Sequence, residues 1–222
     1  MVKIIKLEKR IENFQLDIKR LFLQEKKIHG LIGKNGSGKS TLIKLITGLM
    51  RPDQGTIDYG GLKSTDITFT TQRPYMLHDT VYQNLIYPLK LRKKMPVKEE
   101  IEKWLDQCGL AGKEQQFAPS LSSGERQKLS FARALIFKPK LVFIDETMAN
   151  MDAESIRSFQ TIIMEIQKEN PITWVIVSHQ PAHIDGLCQE VHLMEAGRHL
   201  FSGTPKEMGY FIKEGYETQW SY

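Results

Sequence analysis

The hydrophobic positions of this chain follow two periods that take turns along its length. Residues 2–18 alternate apolar and polar, with Phe14, Leu16 and Ile18 on one face, so two short edge strands are predicted there. "KIHGLIG" reads as a buried strand running into a glycine-rich turn. "STLIKLITGLM" follows with Leu42, Ile43, Leu45, Ile46 and Leu49 at helical spacing, and "RPDQG" ends that helix with proline and glycine. "DITFTTQ" predicts another strand. From about residue 75 to 138 the period is mainly helical: Ile101, Trp104, Leu105 and Cys108 fall at i, i+3, i+4 and i+7. Strands return at "LVFID" and "TWVIV", separated by a helix carrying Ile156, Phe159, Ile162, Ile163 and Ile166. "VHLMEAGRHLF" predicts a hairpin about Ala196-Gly197. The stretch after Gly203 is the least readable part of the chain. The expected architecture is a strand–helix core interrupted by a helical insert.

Composition changes this picture little. The 222 residues are 41% hydrophobic and 26% charged, an ordinary soluble balance for one large domain or a domain with a subdomain. No segment approaches the roughly 20 apolar residues of a membrane helix. "MVKIIKLEKRIENF" mixes charged and apolar residues and is not expected to be a signal peptide. Cys108 and Cys188 are expected to be reduced core thiols, which suits the cytosol. The net charge is +5. Its densest basic run, "LKLRKKMPVK", has no interleaved aromatics and reads as a solvated helix end or loop, so no nucleic-acid partner is expected. His29, His78, His183, His192 and His199 show no metal-like spacing and receive no role.

One motif carries chemistry outright. "GKNGSGKS", Gly33 to Ser40, matches G-x-x-x-x-G-K-[ST] between a predicted strand and a predicted helix. Glycines let consecutive backbone N–H groups curl round phosphate oxygens, and the following helix adds its positive end. Lys39 can reach β- and γ-phosphates, and the Ser40 hydroxyl can ligate Mg²⁺. A second part is expected: an acid at the end of a buried strand, on the metal side. "LVFIDE" supplies Asp145 for that role, and Glu146 is placed to polarise a water against the γ-phosphate.

Four further pieces narrow the class. Gln72 ends the strand that enters the helical insert. "LSSGERQ" lies 21 residues before Asp145, counted from Gly124. "ETMANMD" follows the acidic strand, and His179 ends "TWVIVSH". In this order and spacing the chain resembles the ATP-binding subunits of ABC transporters over nearly its whole length. The resemblance implies an α/β fold: a P-loop NTPase core, an N-terminal antiparallel β subdomain and an α-helical subdomain inserted at about 75–138, all within one ATP-binding domain spanning 1–222.

The resemblance also implies roles. Gly33, Lys34, Asn35, Gly36, Ser37, Gly38, Lys39, Ser40 and Thr41 look like the Walker A loop, and Asp145 like the Walker B aspartate. Glu146 looks like the catalytic glutamate. Gln72 is similar to the glutamine that senses Mg²⁺ and the γ-phosphate and adjoins the membrane subunit. Leu121 to Glu125 look like the signature motif, usually L-S-G-G-Q, so Ser122, Ser123, Gly124 and Glu125 would face the γ-phosphate held by a second copy. Asp152 resembles the D-loop aspartate and His179 the switch histidine. Phe14 either stacks on adenine or packs in the core.

The chain departs from the pattern at several positions. Ser123 and Glu125 replace Gly and Gln, and a serine Cβ beside a crowded phosphate is expected to loosen the closed dimer. Thr147 stands where proline is usual. Ala149 lacks the hydroxyl of the usual S-A-L-D.

The implied function is an ATPase, using ATP and Mg²⁺, that powers a small-solute importer, with an oxyanion such as tungstate as the candidate cargo. Implied partners are a transmembrane permease subunit, a second copy or paired ATP-binding subunit, and an extracytoplasmic solute-binding protein. The implied place is the cytoplasmic face of the membrane. Two alternatives stay open: a soluble ABC-type ATPase acting on nucleic acid or ribosomes, and a nucleotide-binding regulatory module with little turnover.

Overall fold

The computed structural model describes residues 1–71, 73–145, 153–179 and 186–213. Nine strands form one mixed sheet in the order β4-β1-β2-β9-β8-β3-β7-β6-β5. β1 (Val2–Ile11) and β2 (Phe14–Leu23) pair antiparallel, with Leu16 and Ile18 buried on the shared inner face. Alternation predicts both strands but misplaces them as edges. β4 (Gln54–Asp58) pairs antiparallel outside β1 and takes the edge itself. Its residues are almost all exposed, so it carries no apolar alternation to announce it.

The centre is parallel and buried on both faces, as continuous apolar strands require. β3 (Ile28–Ile32) lies between β7 (Thr173–Ser178) and β8 (Glu190–Glu195), and β6 (Leu141–Asp145) joins β7 to β5 (Ile67–Thr70). The register decides what meets. Ile32 lies opposite Ser178, and Asp145 opposite Val177. The C-terminal ends of β3, β6 and β7 therefore share one edge, where ligands of open α/β sheets bind. The predicted hairpin is present: β8 turns at Ala196-Gly197 into β9 (Arg198–Gly203), and β9 meets β2 to join the two halves of the sheet.

Helices cover both faces. α1 (Lys39–Ile46) packs with Leu31, Phe143, Val175 and Val177 on one face. α5 (Ala153–Glu169) brings Phe159, Ile162 and Ile163 to the other, against Trp174, Val142 and Ile176. Between β5 and β6 come α2 (Val81–Leu91), α3 (Lys98–Gln107) and α4 (Ser123–Leu135), which gather a separate apolar cluster of Leu85, Ile101, Leu110 and Leu129. Trp104 packs against both this cluster and the sheet core. The tail after Gly203 holds a further helix, with Met208, Phe211 and Ile212 at i, i+3 and i+4 against the core. α6 (Pro205–Lys213) starts from Thr204, whose hydroxyl accepts from Glu207 N at 3.2 Å while the Glu207 carboxylate accepts from Thr204 N at 2.7 Å.

Both cysteines are buried and unbridged, and burial pushes each thiol up to about 12. The basic run straddles the end of α2; its lysines are exposed, and Arg92 is the residue most used within the chain. Arg92 lies over the Phe137 ring and donates to the Pro88 and Thr65 carbonyls, and Lys90 donates to Gln83. The histidines behave differently from their sequence spacing. β3, β8 and β9 bring His29, His192 and His199 together, with Glu190 beside them. Burial lowers the pKa of all three imidazoles and raises that of Glu190.

Trp174 is fully buried between Phe131 and the α5 face, and its indole N–H donates to Gln167 at 3.0 Å. Trp174→Ala is expected to lower unfolding free energy by about 3–5 kcal/mol in a urea titration, and Met164→Ala, on the exposed side of α5, by under about 0.5 kcal/mol. Equal losses would contradict this placement of the core.

Candidate functional site

The loop after β3 is built to leave backbone donors open. Gly38 precedes α1 in the left-handed region, φ 101°, and no side chain caps the helix start. No acidic residue lies in the first turn, so the helix supplies no anion of its own to its N–H groups. Two glycines are steric necessities. A Cβ at Gly38 would lie 2.9 Å from the Phe14 ring, and one at Gly33 would lie 2.3 Å from the Met194 carbonyl and 2.5 Å from Ser37 Oγ. Lys39 is buried and its ammonium donates to the carbonyls of Gly33 and Lys34, at 2.6 and 3.0 Å. The lysine thus lies folded across the loop, its charge held at the site where a phosphate would lie.

This loop borders a cavity of about 510 Å³. Asn35, Gly36, Gly38, Lys39, Ser40 and Thr41 line one side, with Ile11, Phe14 and Asp145 around them. Asp145 ends β6 and its carboxylate accepts from the Ser40 hydroxyl at 3.3 Å, across 105 residues of chain. Two hard oxygen donors side by side fit a magnesium ion by chemistry. Phe14 does two things: it packs against the β1–β2 core and lines the cavity opposite the loop. Ile11, its register partner across the hairpin, joins the lining and was not singled out from the sequence, although the alternating pattern placed it beside Phe14.

His179 follows β7 directly and is half-buried at the same sheet edge. Gln72, Glu146 and Asp152 lie outside the described residues, as do Thr147, Ala149 and His183. The remaining expected residues stand apart. Ser122, Ser123 and Gly124 are exposed at the start of α4, and none of them lines the cavity of its own chain. Ser122 caps the helix, accepting from Glu125 N at 3.3 Å, and the Glu125 carboxylate returns to Ser122 N at 2.8 Å. Glu125, at the position of the usual Gln, therefore completes a capping box. Lys113 pairs with the same carboxylate, a partner with no signal in the sequence. That pairing and the Ser122 N–H depress the Glu125 pKa to about 2.

A second surface lies beside the helical cluster. A groove of about 340 Å³ between β5, α2 and α4 is lined by Phe69, Tyr75, Tyr87, Leu91 and Arg133 among others. Tyr75 is 71% exposed and Leu91 64%, a concentration of large apolar side chains at the surface.

A cavity floored by a phosphate loop, with a strand-end carboxylate against the loop's serine, defines a P-loop nucleotide-binding protein. Within that class, residues 16–149 match the family described as ABC transporter, and the chain belongs to that family, as one of its ATP-binding ATPases. The tungstate uptake system ATP-binding protein of Peptoclostridium acidaminophilum is 32% identical over 82% of this chain and 88% of its own length. A methionine import ATP-binding protein of Oceanobacillus iheyensis is 30% identical over 94% of this chain, which spans 66% of that protein. Among solved structures, a Clostridium perfringens protein described as part of the ABC transporter complex cbiONQ superposes with TM-score 0.81 at 25% identity, covering 96% of this chain and 91% of that one.

The acid response of α4 follows from its cap. Glu125 has a folded pKa below its usual 4.5, so the stability from its cap and ion pair is complete above about pH 4.5 and lost as pH falls through about 2. Glu125→Gln should flatten the fall of unfolding free energy over that acidic range. An unchanged pH dependence would contradict the pairing with Lys113 and Ser122.

Proposed function

We propose that this chain is the ATP-hydrolysing subunit of a small-solute importer, docked on a permease at the cytoplasmic face of a membrane. The observation that carries the reading is the juxtaposition of Ser40 and Asp145 at the phosphate-loop cavity. Lys39 leaves the Gly33 and Lys34 carbonyls and meets the β- and γ-phosphates of ATP. Loop N–H groups hold the remaining oxygens. Phe14 stacks on the adenine from the hairpin side. Ser40 and Asp145, with Gln72, would hold Mg²⁺, which when bound would offset charge on the phosphate oxygens. Glu146 orients the attacking water, and His179 contacts the γ-phosphate.

Each cavity is then half a site. Ser122, Ser123 and Gly124 lie outside it and exposed, which supports their use by a second copy or a paired ATP-binding subunit. Two chains face to face enclose ATP, Asp152 taking the D-loop role that the resemblance implies, and hydrolysis separates them. The apolar groove around Tyr87 and Leu91 supports docking of a permease segment there. The likeness to uptake proteins for tungstate and methionine supports import, served by an extracytoplasmic solute-binding protein, and a tungstate-like oxyanion as cargo. Arg92, held over the Phe137 ring and bonded to the Pro88 and Thr65 carbonyls, argues against a nucleic-acid role for that residue of the basic run.

Glu146→Gln is expected to retain MgATP binding, to sediment as an ATP-dependent dimer and to lose at least about a hundredfold in turnover. Hydrolysis near the wild-type rate would show that Glu146 does not position the water.

A further inference from the structure

At the end of β3 remote from the phosphate loop, three side chains from two strands converge. His29 Nδ1 lies 3.0 Å from His192 Nε2 and 3.6 Å from Glu190 Oε2. Their donor atoms all lie within 4.8 Å of one another. Both rings are fully buried. We propose that His29 Nδ1, His192 Nε2 and Glu190 Oε2 form a binding site for one borderline divalent cation of the Zn²⁺ type. This inference is independent of the ATPase reading, and its ligands lie on different residues from the Mg²⁺ site.

The outward-facing nitrogens carry the argument. His29 Nε2 bonds the Gln24 carbonyl at 2.9 Å, and a carbonyl only accepts, so the proton of the neutral ring sits on Nε2. His29 Nδ1 therefore presents a lone pair inward. His192 Nδ1 lies 2.7 Å from Ser202 Oγ, which also meets His199 Nε2 at 2.8 Å. Each inward nitrogen thus belongs to a ring fixed from behind, as outer partners fix metal-bound histidines. Without a cation, His192 Nε2–H donates to His29 Nδ1. With one, that proton moves to His192 Nδ1, where Ser202 Oγ accepts it, and both inward nitrogens become ligands.

Glu190 supplies the second observation. Its Oε2 is buried and has no hydrogen-bond partner among the described residues. An unpartnered buried carboxylate oxygen beside two imidazoles is costly, and a cation removes the cost. Tetrahedral zinc with bonds of about 2.0–2.1 Å separates its ligands by about 3.3 Å, which falls between the two distances observed. Two imidazole nitrogens select a borderline metal over Mg²⁺, which prefers oxygen. Of the three ligands only Glu190 reaches solvent, its side chain 17% exposed against 0% for His29. A bound ion would tie β3 to β8. The far ends of these strands lead to the phosphate loop and to the Met194 carbonyl packed on Gly33.

The test is calorimetric titration of Zn²⁺, and separately Co²⁺, into the chelator-stripped full chain without nucleotide. One equivalent should bind with a Kd below about 1 µM. A hundredfold excess of free metal over Kd should raise the melting temperature by about 5–10 °C. Glu190→Gln, which keeps the shape, should weaken binding at least about tenfold, and Asp145→Asn should leave it intact. His29→Ala and His192→Ala should abolish it, and if either fails to fold the Glu190→Gln result decides. Absence of saturable binding for both ions, or equal affinity in Glu190→Gln and wild type, overturns the proposal. So does loss of binding in Asp145→Asn alone.

Discussion

The parallel register of β3, β7 and β6 is the constraint on which the rest depends. Ile32 opposite Ser178 and Asp145 opposite Val177 bring three strand ends to one edge. Everything chemical in the cavity follows from that alignment. The loop begins one residue after Ile32, Asp145 meets Ser40, and His179 emerges beside them. A slip of one residue would turn each strand's side chains to the opposite face and separate these groups. The core resists such a slip because both faces of the central strands are filled with apolar side chains.

The same alignment leaves a cavity bordered by Lys39, Ser40 and Asp145 on the loop side and by Ile11 and Phe14 on the hairpin side. Lys39 is satisfied by two loop carbonyls, a weaker arrangement than a triphosphate would offer, so the loop keeps its cradle shape while storing the positive charge. At the start of α4, Ser122 is exposed and its capping box is internal. Glu125 contributes through geometry the capping that Gln would make without charge, and Lys113 balances the added charge. The signature departure thus has a local compensation, which the isolated motif could not show.

How far the sequence was legible depended on how local each signal was. The phosphate loop, the buried strands and the β8–β9 hairpin rest on adjacent residues, and each was readable. β4 was not, because an exposed edge strand such as "QGTID" carries no alternation, so β1 was misplaced at the edge; β2 was misplaced because its other neighbour, β9, comes from far along the chain. α6 was signalled by the Thr204–Glu207 capping box and by Met208, Phe211 and Ile212 at i, i+3 and i+4, but nine residues hold that set only once, so the period never repeats. The histidine cluster joins positions 163 residues apart, so spacing along the chain could not reveal it. Lys113 reaches Glu125 from a loop, with the same result.

We propose that the exposed start of α4 completes the cavity of another copy. Buried Cys108 and Cys188, with thiols pushed up to about 12, give a quiet background for engineered cysteines. The most direct measurement is disulfide trapping between Asn35→Cys and Ser123→Cys, both exposed positions, in a Glu146→Gln chain. Oxidation with MgATP present should yield an inter-chain dimer, and oxidation without nucleotide should leave monomer. Equal trapping in both conditions, or none in either, would contradict the claim.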